Sequence, residues 1–190
     1  MYKRQLPDHA FRFYLGQDAR YLQDYAKALA GLAARTDAVD ETTYWSYSAY
    51  SSQVEEAELH RTWLAGEPVV APSPVTQAYT NFLLASVFVD DYVVGAAAVL
   101  PCYWLYAQTG AQIPRIPDEH PYAAWLHTYH DDEFVQATAQ TLAIVERAFA
   151  LAAPQARSRA ARAYLTACRH EMEFFDQALR VDPDDPGCDE

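Results

Sequence analysis

Apolar side chains recur every three or four residues along almost the whole of this 190-residue chain. Only six glycines occur, and no stretch alternates apolar and polar residues between turn residues. Spacing of three and four places side chains on one face of an α-helix, whereas a half-buried strand requires alternation. In the segment 7–34 that face is formed by Phe11, Tyr14, Leu15, Leu22, Tyr25, Ala26, Leu29 and Leu32. The sequence therefore predicts an all-α fold.

Start and stop signals divide the chain into about seven helices. Ser73 before Pro74 is typical of a helix start, because Ser can cap free N–H groups and Pro fits the first helical position. Gly66 and Pro68 are typical of a helix end. The predicted helices cover about 7–34, 40–65, 74–89, a central segment around Cys102, a short segment after 120–121, about 132–152, and a last segment from about 154.

No internal repeat or linker interrupts this pattern, and about half of the residues are hydrophobic, which is enough for one domain with a substantial core. We expect a single helical bundle over 1–181. Residues 182–190 hold five acids and a proline-glycine pair, a composition typical of a disordered, solvated tail.

Net charge and hydropathy exclude several kinds of partner. The formal net charge is −12, and no basic cluster is present, so we expect no nucleic acid and no anionic membrane as partner. The longest apolar run, 93–107, is interrupted by Gly95 and Pro101 and is shorter than the roughly 20 residues that a membrane span needs. It predicts a buried core helix.

The cysteines indicate a reducing compartment. Cys102, Cys168 and Cys188 are too few and too scattered for a disulfide framework, and none forms a Cys-x-x-Cys zinc motif. The first residues lack the apolar core and cleavage site of a signal peptide. We therefore expect a cytoplasmic protein, with Cys168 as a packing residue between helices and Cys188 exposed in the tail.

Cys102 lies in the most distinctive segment of the chain. Residues 99–106 read VLPCYWLY, which places a thiol beside a helix-breaking proline and among aromatic side chains. Such a proline removes a backbone donor and is expected to open the helix at the preceding turn. Aromatic walls around a thiol favour covalent chemistry on a flat, apolar ligand. The alternative is that Cys102 is a small hydrophobic residue of the core.

Two acids, Asp18 and Glu171, interrupt helix faces that are otherwise apolar. A carboxylate buried without a partner is unfavourable, so each is either paired with a base such as Arg20 or Arg169, protonated, or in a wet cavity. Apolar surroundings would raise the pKa of Glu171. Each polar centre also has an aromatic companion three or four residues further along its own helix, namely Tyr21, Phe174 and, after Cys102, Tyr106.

At six places the chain resembles the thiaminase II, or TenA-like, family. The segment 13–22, FYLGQDARYL, resembles the family's aromatic Gln-Asp helix. Five further segments match in order, and these are 56–61 (EAELHR), 72–80 (PSPVTQAYT), 100–106 (LPCYWLY), 120–129 (HPYAAWLHTY) and 171–175 (EMEFF). Family members usually carry Trp where this chain has Phe175, and a further helix before the segment that here starts at Met1.

The resemblance implies a haem-oxygenase-like helical bundle that forms a homo-oligomer, a tetramer or a dimer. It implies a hydrolase that converts an aminomethyl-pyrimidine to the hydroxymethyl-pyrimidine in thiamin salvage, some members also cleaving thiamin. It implies no metal and no other cofactor.

The resemblance also assigns roles to residues of this chain. Cys102 would be the nucleophile that adds to the pyrimidine ring, and Glu171 the acid and base for the leaving amine and the incoming water. Asp18 would bind the amidine-like edge of the ring. The remaining substrate-binding residues would be Tyr79, Tyr106 and Tyr129, which position the ring or the catalytic groups, and Tyr21 and Phe174, which form walls around it. By contrast, we assign Tyr103, Trp104 and Trp125 to packing.

Two other functions remain open at this point. Helical bundles can hold two irons through Glu-x-x-His pairs on facing helices, but Glu56 and His60 are four residues apart and His170 precedes Glu171. The protein could instead be a non-catalytic pyrimidine-binding or regulatory protein of the same fold. The acidic charge disfavours direct contact with DNA.

Overall fold

The computed structural model describes residues 6–64, 70–114 and 116–181. These residues form helices and no strands, which confirms the all-α prediction. The helices are α1 (Asp8–Ala33), α2 (Val39–Trp63), α3 (Pro74–Phe88), α4 (Tyr92–Gln112), α5 (Ala123–Thr128), α6 (Asp132–Leu151) and α7 (Pro154–Ala178). The predicted stop at 66–68 and the predicted tail at 182–190 lie outside the described residues.

Two of the helices begin where the sequence predicts. Ser73 caps α3, since its hydroxyl accepts a hydrogen bond from the Thr76 backbone N–H at 3.1 Å, and Pro74 is the first helical residue. Pro154 takes the same first position in α7. These local signals explain why the predicted and observed starts of the two helices agree.

Helices α1 and α4 form the centre of the bundle. Helix α1 packs against α2, α3, α4 and α7, and α4 packs against α3, α6 and α7. The core between them is apolar and aromatic, with Phe11, Leu15, Leu29, Leu83 and Phe174 almost fully buried. Burying a side chain of this size stabilises the fold by about 1.5–3 kcal/mol. The chemically interesting residues therefore project from helices that the core holds rigidly.

The predicted opening of the chain before Pro101 is wrong, because α4 runs unbroken from Tyr92 to Gln112 with Pro101 inside it. The turn before the proline is buried, and the Tyr25 hydroxyl donates a hydrogen bond to the Val99 carbonyl there at 2.9 Å. This contact from α1 and the burial of the turn hold the helix together through the proline.

The apolar run of α4 lies in the core, as predicted, since its residues from Val93 to Pro101 are all buried. Across the described part of the chain, no helix combines the length and apolar character that crossing a bilayer requires.

Candidate active site

A cavity of about 340 Å³ opens between the central helices and the α2–α6 side of the bundle. Its inner wall contains five of the residues that the sequence analysis selected, and these are Asp18, Tyr21, Cys102, Tyr106 and Tyr129. They come from α1, from α4 and from the residue after α5. The cavity is thus built where separate segments of the chain meet.

The other three selected residues lie directly behind this wall rather than in it. The ring centroid of Tyr21 is 5.0 Å from that of Tyr79 and 5.5 Å from that of Phe174. The Tyr79 hydroxyl donates a hydrogen bond of 2.7 Å to Oε1 of Glu171. Because Tyr21 touches both rings, these residues continue the inner wall of the cavity into α3 and α7.

Glu171 is 2% exposed and is held as a buried acid. Burial raises its pKa from 4.5 to about 8, the hydrogen bond from Tyr79 opposes that shift, and the charge of Asp18 adds to it. Among the described residues Glu171 forms no ion pair, so pairing with Arg169 does not account for its position. The prediction of a raised pKa is confirmed. At neutral pH this carboxyl is mostly protonated and can donate a proton.

Cys102 is a free thiol that keeps part of its surface exposed to the cavity. Burial raises the pKa of the thiol well above 9.0, and the negative charge of Glu171 raises it further. The Tyr21 hydroxyl, which has no hydrogen bond of ordinary geometry, lies close enough to the thiol to lower its pKa. The sulfur is therefore a neutral thiol at pH 7, and any attack by it requires its proton to move as the new bond forms.

Gly110 allows Tyr129 to approach α4. A Cβ at Gly110 would meet the Cβ and the carbonyl oxygen of Tyr129 at 2.8 Å, so no larger residue fits without a shift. This approach sets the Tyr129 ring 5.0 Å from Tyr106. Phe175 lies on the other side, 5.3 Å from Tyr106. The smaller ring at this position thus still packs against the cavity wall.

A buried polar network lies beyond the inner wall and joins the three helices that carry Asp18, Tyr79 and Glu171. Oε1 of Gln17 accepts hydrogen bonds from the Ser73 backbone N–H at 2.8 Å and from the Thr76 hydroxyl at 2.7 Å. The Ser73 hydroxyl donates to Oε1 of Gln177 at 2.6 Å. These bonds fix α1, the start of α3 and α7 relative to one another.

Replacing Thr76 by Val is expected to lower the free energy of unfolding by about 1–3 kcal/mol, because the buried Gln17 and Gln177 amides each lose a partner. Urea unfolding followed by circular dichroism measures the change. Thr80→Val is the matched control, since Thr80 is equally buried in α3 and its hydroxyl bonds only to the Gln77 carbonyl of its own helix. Equal losses in the two variants would contradict the role of the network.

Sequence reasoning missed the outer half of the cavity. Trp125 and Tyr103 are buried, as their assignment to packing predicted, but both also line the cavity. The remaining unpredicted lining residues of α1, α2 and α6 are Leu22, Tyr25, Tyr44, Tyr47, Ser48, Ser51, Ser52, Glu133, Phe134, Gln136, Ala137 and Gln140. Those on α2 recur at three- and four-residue spacing, which was the available signal, but half-exposed serines on a helix look like an ordinary solvated face.

No three His, Cys, Asp or Glu side chains within the described ranges are grouped so that they could hold a metal ion. The side chains of Glu56 and His60, which were weighed as iron ligands, lie outside the residues whose side chains are described.

The helical bundle encloses a cavity with tyrosine walls, one thiol and nearby carboxyls. These features define an all-α protein whose cavity is suited to a small-molecule ligand. The chain belongs to the TENA/THI-4/PQQC family, whose model matches residues 1–181.

Three comparisons illustrate this membership. The chain is 49% identical to the thiamine biosynthesis multifunctional protein ThiED of Corynebacterium glutamicum over 171 residues, which are 90% of this chain and 22% of that protein. It is 28% identical to the aminopyrimidine aminohydrolase of Bacillus subtilis, covering 92% of this chain and 78% of the relative. A solved structure from a Silicibacter species, described as a TenA family transcription regulator, matches with a TM-score of 0.83 at 23% identity, over 93% of this chain and 84% of that one. The chain thus spans about a quarter of the length of the multifunctional relative.

Proposed function

We propose that this protein hydrolyses thiamin-related aminopyrimidines, replacing the exocyclic amine of an aminomethyl-pyrimidine by a hydroxyl and also accepting thiamin. The observation that carries the proposal is the meeting of Cys102 and Asp18 at one cavity wall, with the buried acid Glu171 near enough to raise the pKa of the thiol. Relatives named aminopyrimidine aminohydrolase over nearly the full chain support the same reaction.

The inner cavity suits a flat heterocycle. Tyr21, Tyr106 and Tyr129 offer aromatic surfaces for the ring, and stacked or edge-on aromatic contacts each contribute about 0.5–1.5 kcal/mol beyond area burial. Asp18 can accept hydrogen bonds from the amino group and from a protonated ring nitrogen, which is a charge-assisted pair. The carboxylate favours transfer of the thiol proton to that nitrogen, and protonation makes the ring more electrophilic.

In the first half of the reaction, the sulfur of Cys102 bonds to a ring carbon while its proton passes to the ring nitrogen opposite Asp18. Addition interrupts the aromatic system and allows the exocyclic C–N bond to break. Glu171 donates its proton to the departing amine, which leaves with the bonding electron pair as ammonia. The ring adduct is then cationic, and the Asp18 carboxylate stabilises it.

In the second half, water adds to the exocyclic methylene and gives its proton to the Glu171 carboxylate. The C–S bond then breaks, the sulfur takes back the proton from the ring nitrogen, and the aromatic ring is restored. The thiol and the acid end in their starting states, so water and the amine substrate give the alcohol and ammonia with no oxidant and no metal.

The domain organisation, compartment, oligomeric state and cofactor requirement are inferred in the same way. We infer one TenA-like domain over residues 1–181, working in the cytoplasm as a homo-oligomer, a tetramer or a dimer, without metal or cofactor. Size-exclusion chromatography with light scattering measures the oligomeric state.

Incubation with the aminomethyl-pyrimidine and with thiamin tests the function, with ammonia and thiazole release as the readouts. We expect ammonia from the first substrate and thiazole from the second. Binding of the pyrimidines without release of either product would favour the non-catalytic pyrimidine-binding protein instead.

Tyr79→Phe is expected to move the alkaline decline of kcat to higher pH and to lower kcat. The Tyr79 hydroxyl stabilises the charged carboxylate and so lowers the pKa of Glu171, and its removal lets that pKa rise above about 8. The pH profile of kcat measures the shift. Tyr122→Phe is the control, because this buried tyrosine bonds to the Leu6 carbonyl away from Glu171. If the pH profile of the Tyr79 variant does not shift, ionisation of Glu171 is not the cause of the alkaline decline of kcat.

A further inference from the structure

The cavity continues beyond the inner wall into a space between α2 and α6, which we call the polar arm. Beside Tyr44, Tyr47, Phe134 and Ala137, its walls hold hydroxyl, amide and carboxyl side chains, and these are Ser48, Ser51 and Ser52 of α2 and Glu133, Gln136 and Gln140 of α6. Ser51 and Ser52 are half-buried, and Gln136 and Gln140 are exposed, so the arm leads from the ring pocket to the surface.

The bundle builds this arm by packing its two helices on different partners. Helix α2 packs mainly on α1 and α6 packs on α4, and two tyrosines of α2 reach across the space between them. The Tyr44 hydroxyl donates to the Ala137 carbonyl at 2.8 Å, and the exposed Tyr47 hydroxyl donates to Oε1 of Glu133 at 3.0 Å. Ser48, Ser51 and Ser52 follow these tyrosines along α2 and line the same cavity.

The walls of the arm are rich in hydrogen-bonding groups, unlike the aromatic ring pocket. Hydroxyls and amides can both donate and accept hydrogen bonds, so they suit a polar group that changes between substrates. With a ring held against Tyr21 and Tyr106, the arm is the open part of the cavity, so a leaving group whose bond to the exocyclic carbon lies near the inner wall can extend into it.

The described lining residues that are charged at neutral pH all carry a negative charge. The ionisable acids that line it are Asp18, Asp131 and Glu133, and the described lining residues include no Lys, Arg or His. The chain as a whole carries a formal net charge of −12. A cavity with charges of one sign concentrates ligands of the opposite sign and repels those of the same sign. Like charges brought together at a binding site weaken binding.

We propose that the polar arm is a leaving-group subsite that accepts uncharged and cationic groups and excludes phosphate esters. This inference rests on the proposed function and deepens it, since it names which pyrimidine derivatives can enter. A thiazolium or a protonated amine would be attracted by Glu133 and Asp131, whereas a phosphate at the mouth would face both carboxylates. Phosphorylated thiamin must then be dephosphorylated by another enzyme before it can serve as a substrate.

Calorimetric titration of the full chain carrying Cys102→Ser, which is expected to bind thiamin without cleaving it, with thiamin and with thiamin monophosphate tests the subsite. We expect the monophosphate to bind at least about tenfold more weakly than thiamin. Glu133→Lys is expected to reduce that ratio, because it replaces an anion at the mouth by a cation. Glu146→Lys makes the same change of charge on an exposed part of α6 outside the cavity, and we expect the ratio to stay as in the parent protein.

Equal affinities for the two ligands, or equal effects of the two lysine variants, would overturn the subsite. The ammonia assay is read separately with the aminomethyl-pyrimidine. If the parent protein releases ammonia but thiamin and thiamin monophosphate bind equally well, the subsite is wrong and the proposed function stands. If the ratio of the two affinities depends on Glu133 but the parent protein releases no ammonia, the subsite is supported and the proposed hydrolase activity is wrong.

Discussion

Cys102→Ser is expected to abolish turnover while the protein still folds and still binds the pyrimidine. The oxygen of Ser is a much weaker nucleophile than sulfur toward an aromatic ring carbon, and no strong base lies beside it, since Glu171 is mostly protonated at neutral pH. Removing the nucleophile of an enzyme lowers kcat by several orders of magnitude, and we expect at least about a thousandfold here. Ammonia release at saturating aminomethyl-pyrimidine measures the loss.

Cys168→Ser is the matched control, because Cys168 is the other free thiol of the described residues and lies outside the cavity lining. We expect that variant to retain the parent kcat. Titration of Cys102→Ser with the hydroxymethyl-pyrimidine verifies that the cavity is intact, and a dissociation constant close to the parent value is expected. Substantial turnover by Cys102→Ser would contradict the proposed addition of the Cys102 sulfur to the ring.

Much of the fold followed from the sequence because its signals are local. The helix starts at Pro74 and Pro154 agree with prediction, since a capping residue and a proline act on their own turn. The expected break at Pro101 did not occur, because its consequence depends on tertiary packing around α4 rather than on the helix alone.

The inner wall of the cavity was predictable for a related reason. Asp18 stands out as an acid on an apolar face and Cys102 as a thiol beside a proline and among aromatic side chains, and each signal is visible in one helix at a time. The same holds for Glu171, the acid behind this wall. The outer wall was not predictable in that way. Whether Ser48 or Gln136 faces solvent or a cavity depends on the separation of α2 and α6, which are held apart by their packing on other helices.

Titration behaviour was partly predictable. The raised pKa of Glu171 follows from an acid on an apolar face, and the structure confirms it. Burial raises the pKa of the Cys102 thiol most, and the approach of Glu171, from a helix about 70 residues away in sequence, raises it further. That approach has no local sequence signal.

Glu171→Gln is expected to lower kcat by about a hundredfold or more, because an amide of the same shape can neither donate a proton to the leaving amine nor take one from water. Binding of the hydroxymethyl-pyrimidine should change little, since Gln has the shape of Glu and can keep the hydrogen bond from Tyr79. Ammonia release and calorimetric titration measure the two quantities.

The same substitution is expected to stabilise the protein at alkaline pH. The pKa of Glu171 is about 8 when folded and near 4.5 when unfolded, so between these values the folded chain holds a proton that the unfolded chain has lost. The free energy of unfolding therefore falls as pH rises through this window, by about 1.4 kcal/mol per pH unit for this group. Gln carries no such proton, and the variant avoids the decline.

Urea unfolding of the parent and of Glu171→Gln at pH 5 and at pH 8 separates this effect from packing changes. We expect only a small advantage for the variant at pH 5, just above the unfolded pKa of 4.5, and a clearly larger one at pH 8, since the proton that the folded chain retains costs more free energy as the pH rises. Glu146→Gln is the control for a neutralised surface carboxylate, and its difference from the parent should not grow with pH in this way. A parent protein at least as stable as Glu171→Gln at pH 8 would show that the buried acid is not held protonated. Catalysis and stability then make opposite demands on Glu171, because the burial that raises its pKa for proton transfer is the same burial that destabilises the folded chain as the pH rises.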